Sequence, residues 1–296
     1  MTRVHEAGEV ELVLDARAEV GEGPVWDVAR SELVWVDIPR GLVHRLDPAT
    51  GRDEPLPVQQ PVGAVGLRES GGLVLAVRDG FGLLDAGSRE VRIVQRVESD
   101  RPNNRMNDGK CDRAGRFWAG TMALDETPRA GALYRLETDL QVRQVVRDAT
   151  MPNGLDWSLD DRTLYYVDSV EAGIDIFDYD PTTADLADRR RLVDIAPTDG
   201  LPDGLTVDAQ GFLWVALWGG SHVRRYTPDG RLDAVVELPV TQVTSCTFGG
   251  AEMDELYVTT AAAGLDGDAL RREPHAGGIF RFRPGCRGRA TRLFGG

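Results

Sequence analysis

The chain has 296 residues, a formal net charge of −14 and 42% hydrophobic residues. This acidic balance argues against nucleic acid and anionic membrane surfaces as partners. The sequence contains no run of eighteen apolar residues and no signal-peptide pattern at its Met1 start, so we expect a cytoplasmic protein with no membrane partner. Three scattered cysteines without a CxxC pair are typical of free thiols in a reducing compartment.

The first predicted element is a strand at Val10-Glu11-Leu12-Val13-Leu14, where apolar residues alternate with polar ones. It precedes a series of repeats. A ring of sheets leaves no free edge only if its two ends are joined. We therefore expect this strand to pair with the segment Gly278-Ile279-Phe280-Arg281-Phe282 and so complete the last unit of the ring.

A hydrophobic segment recurs six times along the chain, each time after a polar turn. Its central residues are Trp35, Val74, Trp118, Tyr165, Trp214 and Tyr257, at spacings of 39, 44, 47, 49 and 43 residues. Periods of forty-odd residues built from strands are typical of propeller blades, which have four strands each. The sequence predicts one all-β domain over residues 1–296, a six-bladed β-propeller closed by the N-terminal strand. The alternative is a β-sandwich with fortuitous spacing.

One connection between repeats is longer than the others. It runs from Ala261 to Gly277, and we expect it to be an irregular surface loop over one mouth of the ring.

The first strand of each repeat begins 10 to 13 residues before the hydrophobic marker. The residues at these starts are Glu22, Val62, Asp108, Asn153, Asp203 and Ser245. In a propeller the first strands line the central channel, so equivalent positions face one another. Four of the six positions carry an acid or an amide followed by glycine, and such acids repel unless a positive charge lies between them.

Converging hard oxygen atoms suit Ca²⁺, Mg²⁺ or Mn²⁺, and suit Zn²⁺ less well. The alternative is that each Asn-Gly or Asp-Gly pair is an ordinary turn dipeptide. Other chemistries have little support. Four scattered histidines form no HExxH pattern, and the chain has no G-x-S-x-G elbow, P-loop or dinucleotide fingerprint.

The chain resembles the senescence marker protein (regucalcin)/gluconolactonase family over nearly its whole length. The segments that carry the resemblance are 21–26 (GEGPVW), 104–110 (NRMNDGK), 119–122 (AGTM), 152–158 (PNGLDWS), 201–204 (LPDG), 244–246 (TSC) and 276–280 (AGGIF). The resemblance implies a six-bladed propeller that acts as a metal-dependent sugar lactonase.

Matched position by position, the resemblance implies that Glu22, Asn153 and Asp203 are the metal ligands. One divalent cation, Ca²⁺ first and Mg²⁺, Mn²⁺ or Zn²⁺ as alternatives, would polarise the carbonyl of an aldonolactone during its hydrolysis to the aldonic acid. The resemblance also assigns a catalytic proton transfer to Asp203. Whether Asp203 or a water on the cation is the effective base stays open.

The same resemblance implies that Arg105, Asn107 and Asp125 bind the substrate. The family has Glu where this chain has Asp125, one methylene shorter, and the neighbouring Glu126 is an alternative for that contact. An alternative for Arg105 is a structural salt bridge to Asp100 or to Asp108.

The expected partner is a small sugar lactone, and we expect a monomer because a closed propeller has no free sheet edges. Two other functions fit the same site. One is a phosphotriester or organophosphate hydrolase that uses the same cation, and the other is a calcium-binding propeller without enzymatic activity.

Overall fold

The computed structural model describes residues 9–296, and within them 24 strands form six four-stranded antiparallel sheets. The first nine strands are β1 (Glu11–Leu14), β2 (Gly21–Asp27), β3 (Glu32–Asp37), β4 (Leu42–Asp47), β5 (Arg52–Pro57), β6 (Val62–Leu67), β7 (Leu73–Val77), β8 (Gly80–Leu84) and β9 (Arg92–Arg96). The next eight are β10 (Asn104–Cys111), β11 (Phe117–Ala123), β12 (Gly131–Leu136), β13 (Val142–Ala149), β14 (Pro152–Trp157), β15 (Thr163–Asp168), β16 (Gly173–Tyr179) and β17 (Leu186–Asp194). The last seven are β18 (Leu201–Val207), β19 (Leu213–Trp218), β20 (His222–Tyr226), β21 (Leu232–Glu237), β22 (Val243–Gly249), β23 (Glu255–Thr260) and β24 (Ile279–Phe282).

The six sheets form a closed ring. Five of them follow the chain directly, in the orders β2-β3-β4-β5, β6-β7-β8-β9, β10-β11-β12-β13, β14-β15-β16-β17 and β18-β19-β20-β21. The first strands contact their neighbours around the whole ring, from β2 beside β6 through to β22 beside β2. The predicted six-bladed propeller is confirmed.

The sixth sheet has the order β1-β24-β23-β22 and therefore joins the two ends of the chain. In its antiparallel register Glu11 faces Arg281, and Leu12 faces Phe280. The predicted closure by the N-terminal strand is confirmed, and it covers an edge of β24 that would otherwise be free to pair with another chain.

Large aromatic side chains fill the spaces between blades. Trp118 of the third blade packs against Trp157 of the fourth, with ring centroids 5.7 Å apart, and both side chains are fully buried. Trp118 Nε1 donates to Asp112 at 3.0 Å, and Trp214 Nε1 donates to Asp208 at 3.1 Å. Burying these rings stabilises the ring of blades, and the two aspartates prevent the cost of an unpaired indole N–H.

The long connection between β23 and β24 differs from the expectation that it is irregular. It contains a short helix, α1 (Gly267–Arg272), which begins after the N-cap residue Asp266. The Asp266 side chain accepts hydrogen bonds from Asp268 N and Ala269 N, so it satisfies two of the donors that a helix start leaves free. The prediction was wrong because it did not weigh this capping residue.

Two further expectations concern membranes and cysteines. Across residues 9–296, no helix has the length and apolar character needed to span a bilayer. Cys111, Cys246 and Cys286 are all free thiols, and the first two are buried.

Candidate functional site

All six first strands carry one extra residue at the same level, near their starts. In β14, Pro152 faces Asp168 and Leu155 faces Tyr166, so three steps on one strand match two on its partner. The equivalent register shift occurs in β2, β6, β10, β18 and β22. A β-bulge re-aims side chains and is common beside functional sites. The predicted metal ligands Glu22, Asn153 and Asp203 lie at these bulges.

The glycines that follow the candidate ligands allow neighbouring first strands to approach closely. A Cβ on Gly154 would lie 2.5 Å from Leu205 N and 2.6 Å from Asp203 O, and a Cβ on Gly204 would collide with Ser245. Only glycine fits these positions without displacing the next strand. The alternative that Asn153-Gly154 and Asp203-Gly204 are hairpin turns is wrong, because both pairs lie inside strands.

Three carboxyl groups converge where the first strands begin, and we call Glu22, Asp108 and Asp203 the acidic cluster. Their residues are only 4%, 7% and 7% exposed. Gly23 N donates to Glu22 Oε2 at 2.5 Å, whereas Glu22 Oε1 is buried and has no hydrogen-bond partner in residues 9–296. An orphaned buried carboxylate oxygen is costly, so this oxygen needs a proton or a cation.

The carboxyls of the acidic cluster all have raised pKa values. Burial raises the pKa of Glu22 well above its ordinary value, and the charges of Asp203 and Asp108 raise it further. Burial likewise raises the pKa of Asp203, and Asp108 is the next cause. Burial raises the pKa of Asp108 to about 6, against the opposing charge of Lys110. These shifts show that the three carboxyls are close enough to destabilise one another's charged forms.

Arg105 is the cation beside these acids. Burial lowers the pKa of Arg105 to about 10, and the charges of Glu22, Asp203 and Glu126 oppose that shift. Its Nη1 donates to Met106 O at 2.9 Å and to Asn107 Oδ1 at 2.7 Å. The alternative of a salt bridge to Asp100 or Asp108 is therefore not what the guanidinium forms.

A directional chain of hydrogen bonds continues from Asn107 across two further blades. Asn107 Nδ2 donates to Asn153 Oδ1 at 2.9 Å and to Pro152 O at 2.8 Å. Asn153 Nδ2 donates to Ser169 Oγ at 2.7 Å, and Ser169 Oγ donates to Pro202 O at 2.6 Å. Because the Ser169 hydroxyl donates its hydrogen to the carbonyl of Pro202, it accepts from Asn153 Nδ2, and this sets which way the Asn153 amide points.

Ser169 was missed in the sequence analysis. It follows β15, is 2% exposed, and connects the amide of Asn153 to the residue before Asp203. A lone serine after Asp168 has no spacing signal, because its partners come from two different blades. The pairing becomes visible only when the blades are side by side.

The donor set suits a hard divalent cation. Glu22 and Asp203 supply carboxylate oxygens, and Asn153 Oδ1 keeps a second lone pair after accepting from Asn107. In residues 9–296 no three His, Cys, Asp or Glu side chains form a metal-binding group by themselves. A cation site here would combine the amide oxygen of Asn153 with the two carboxylates.

The predicted contact from Asp125 remains a prediction. The Asp125 carboxylate accepts from Thr127 Oγ1 at 2.7 Å and from Thr127 N at 3.2 Å, in an exposed turn. The neighbouring Glu126 has a positive φ of 55°, and its charge acts on Arg105. Of these two acids, Glu126 is the one whose charge acts on Arg105.

The chain is similar to known proteins over nearly its whole length. A family model described as "SMP-30/Gluconolactonase/LRE-like region" matches residues 20–262, which include every candidate site residue. Regucalcin of Xenopus laevis is 41% identical over 295 residues, covering 97% of this chain and 99% of that protein. The solved structure of a calcium-binding protein, regucalcin, from Agrobacterium tumefaciens has a TM-score of 0.94 at 29% identity, covering 99% of both chains. A luciferin-regenerating enzyme has a TM-score of 0.90 at 31% identity, covering 97% of this chain and 99% of that one.

Proposed function

The chain belongs to the SMP-30/gluconolactonase/LRE-like family, and from this premise we propose that it hydrolyses a sugar lactone to the aldonic acid with a divalent cation. The observation that carries the proposal is the acidic cluster. All three carboxyls are buried, Glu22 and Asp203 share the charge of one buried guanidinium, Arg105, and Glu22 Oε1 has no partner among the described residues. Such a group of acids is stable in its charged form only with added positive charge.

Glu22, Asn153 and Asp203 would hold the cation through oxygen atoms, for which Ca²⁺ is the first candidate and Mg²⁺, Mn²⁺ and Zn²⁺ are alternatives. A cation held there would polarise the lactone carbonyl and favour the negative charge that develops on its oxygen. The protein supplies a dry, preorganised setting for this chemistry, since the three side chains are at most 7% exposed.

Asp203 is the proton carrier in this proposal. Its carboxylate takes a proton from the water that attacks the lactone carbonyl, and returns it to the ring oxygen as the C–O ester bond breaks. Its buried position supports this role, because burial raises the pKa of Asp203 and makes the carboxylate a stronger base. A bound cation acts in the opposite direction, since it favours the charged carboxylate.

Arg105 and Asn107 would orient the substrate. Arg105 uses Nη1 for contacts within the protein, which leaves Nε and Nη2 to donate to a lactone oxygen. Asn107 uses both Nδ2 hydrogens on Pro152 O and Asn153 Oδ1, so only a lone pair on its Oδ1 remains for a substrate hydroxyl. These contacts hold the ester in place for attack.

The test is a hydrolysis assay on metal-stripped protein with one divalent ion restored at a time. Acid release is followed with gluconolactone, galactonolactone, xylonolactone and arabinolactone, and a phosphotriester is included. We expect hydrolysis of at least one lactone to disappear with the metal and to return with Ca²⁺ or a related ion. Lactone hydrolysis that is insensitive to chelation would refute the metal's role. Tight Ca²⁺ binding without turnover of any lactone would instead indicate a calcium-binding propeller.

The variant that tests the role of Asp203 is Asp203→Asn. Replacing the proton carrier by an amide of equal size should lower turnover by about 10³-fold while the fold is retained. The control is Asp194→Asn, which changes a 90% exposed side chain and should leave the rate unchanged. Circular dichroism checks folding, and near-normal activity in Asp203→Asn would discard its assigned role.

A further inference from the structure

A second group of charged side chains lies toward the opposite end of the channel. There the later parts of the first strands and the C-terminal segment enclose a cavity of about 70 Å³. Four charged residues line it: Lys110, Asp156, Arg289 and Arg292. We call this region the basic cavity. The lactonase proposal makes no use of it.

The lining of the basic cavity has an excess of positive charge. Lys110 Nζ donates to Asp156 Oδ2 at 3.2 Å, and Arg289 Nη2 donates to Asp156 Oδ1 at 2.5 Å. Arg292 Nη2 donates at 2.5 Å to Asp161, which also accepts from the exposed Arg113 at 3.0 Å. Three cations and one carboxylate therefore line the cavity, in a chain whose net charge is −14.

Arg292 also has an unused donor. Its Nη1 is buried without a hydrogen-bond partner in residues 9–296, and its guanidinium lies 5.3 Å from the Trp157 ring centroid. The contact with Trp157 and the hydrogen bond to Asp161 fix the position of the guanidinium in the cavity wall. A buried cationic donor without an acceptor is costly, and an anionic oxygen in the cavity would remove that cost.

We propose that the basic cavity binds a small tetrahedral oxyanion of the sulfate or phosphate class. Its volume exceeds the roughly 30 Å³ share of one water molecule, so an ion of five heavy atoms is a reasonable occupant. Cations approach from β10 and from two positions on the C-terminal segment, which matches an anion with acceptors in several directions better than a planar carboxylate. The anion would link the C-terminal segment to the ring.

The charges around Asp156 support this convergence. Burial raises the pKa of Asp156, but Arg289, Lys110 and Arg292 lower it more, so the net shift is below its ordinary value. All three cations are therefore close to one point. The anion proposal uses no contact of the proposed cation or lactone, so it would stand if the lactonase proposal failed.

The test is titration with sodium sulfate against sodium chloride at constant ionic strength, by calorimetry and thermal unfolding. We expect saturable binding and a rise in Tm of about 2–4 °C at tenfold the Kd. Arg292→Gln should weaken binding by about tenfold or more. The matched control is Arg113→Gln, which removes the other cation on Asp161 outside the cavity and should bind as the wild type does.

Sulfate also stabilises proteins without binding at a specific site. The comparison between these two variants therefore decides whether the stabilisation comes from binding in the basic cavity. No saturable binding in the wild type, or equal binding in Arg292→Gln, would overturn the proposal. If Arg292→Gln does not fold, crystals of the wild type soaked in selenate provide a second measurement. An anomalous selenium peak in the basic cavity supports the site, and ordered water alone refutes it. Binding of acetate but not of sulfate would refute the tetrahedral class.

Discussion

The two ends of the central channel are built from the same strands but differ in their charges. β14 carries Asn153 near its start and Asp156 near its end, and in β10 Lys110 follows Asp108 by two residues. Asp108 and Asp156 are both buried, at 7% and 4% exposure. Yet burial raises the pKa of Asp108 to about 6, whereas neighbouring cations bring the pKa of Asp156 below its ordinary value.

Burial alone therefore does not decide the protonation state of an acid. Around the basic cavity, Asp156 and Asp161 each have an arginine within hydrogen-bond distance, so their negative charges are balanced within the fold. In the acidic cluster the carboxyls repel one another when charged, so a balancing positive charge has to come from a bound cation. A region that folds with unbalanced charge is a stronger candidate for binding a cation than one that is already paired.

The largest expected effect tests the paired end. Asp156→Asn leaves Lys110 and Arg289 without their carboxylate partner, and we expect a loss of about 3–5 kcal/mol in the free energy of unfolding. Urea denaturation measures it, with the exposed Asp160→Asn as the control. A loss below about 1 kcal/mol would show that the ion pairs at this end are not structural.

The second prediction concerns pH and the unpaired end. The folded-state pKa of Asp108 lies above its unfolded value, so the unfolded chain releases this proton first as the pH rises. The stability contribution is complete below the ordinary carboxyl pKa near 4 and is lost as the pH rises through about 6. Glu22 and Asp203 shift in the same direction and act with the same sign.

Metal-stripped protein should therefore lose about 1.4 kcal/mol of unfolding free energy between pH 5 and pH 7.5 from Asp108 alone, and Glu22 and Asp203 should add to this loss. Urea midpoints at the two pH values measure this loss, and Asp108→Asn should reduce it. Adding Ca²⁺ at pH 7.5 should restore stability, because the cation offsets the repulsion among the acids. Equal stability at both pH values would contradict the unbalanced-charge account.

The third prediction separates substrate binding from cation binding. Arg105→Ala removes the charged donor beside Glu22 and Asp203, and we expect KM for the lactone to rise about tenfold to a hundredfold. The cation affinity should not fall, because a nearby positive charge is lost. The control is Arg129→Ala, whose side chain is 74% exposed. An unchanged KM would count against a substrate contact.

The smallest expected effect tests the hydrogen-bond chain. Ser169→Ala removes the group that accepts from Asn153 and donates to Pro202 O, so the amide is less well oriented. We expect the Ca²⁺ affinity to fall about tenfold. Ser169→Thr keeps the hydroxyl and should recover much of the affinity. Calorimetric titration with Ca²⁺ measures both, and full affinity in the alanine variant would show that the chain does not position the ligand.

Much of the fold follows from local patterns in the sequence. The strand-turn-strand repeat indicated six blades because each blade needs the same alternation of buried and exposed residues. The alignment of first-strand positions selected Glu22, Asp108, Asn153 and Asp203, and all four lie at the bulges that face the channel. Helix α1 was missed because a single capping aspartate is a weak signal beside a long polar connection.

Period and polarity along the chain thus determined the number of blades, their closure and the residues that begin each inner strand, because these depend on neighbours a few residues away. The tertiary structure alone decided which charges meet. Arg289 reaches Asp156 from 133 residues away, and Ser169 joins strands of two blades. Such contacts have no periodicity in sequence, since they depend on how the closed ring and its C-terminal segment bring distant side chains to one axis.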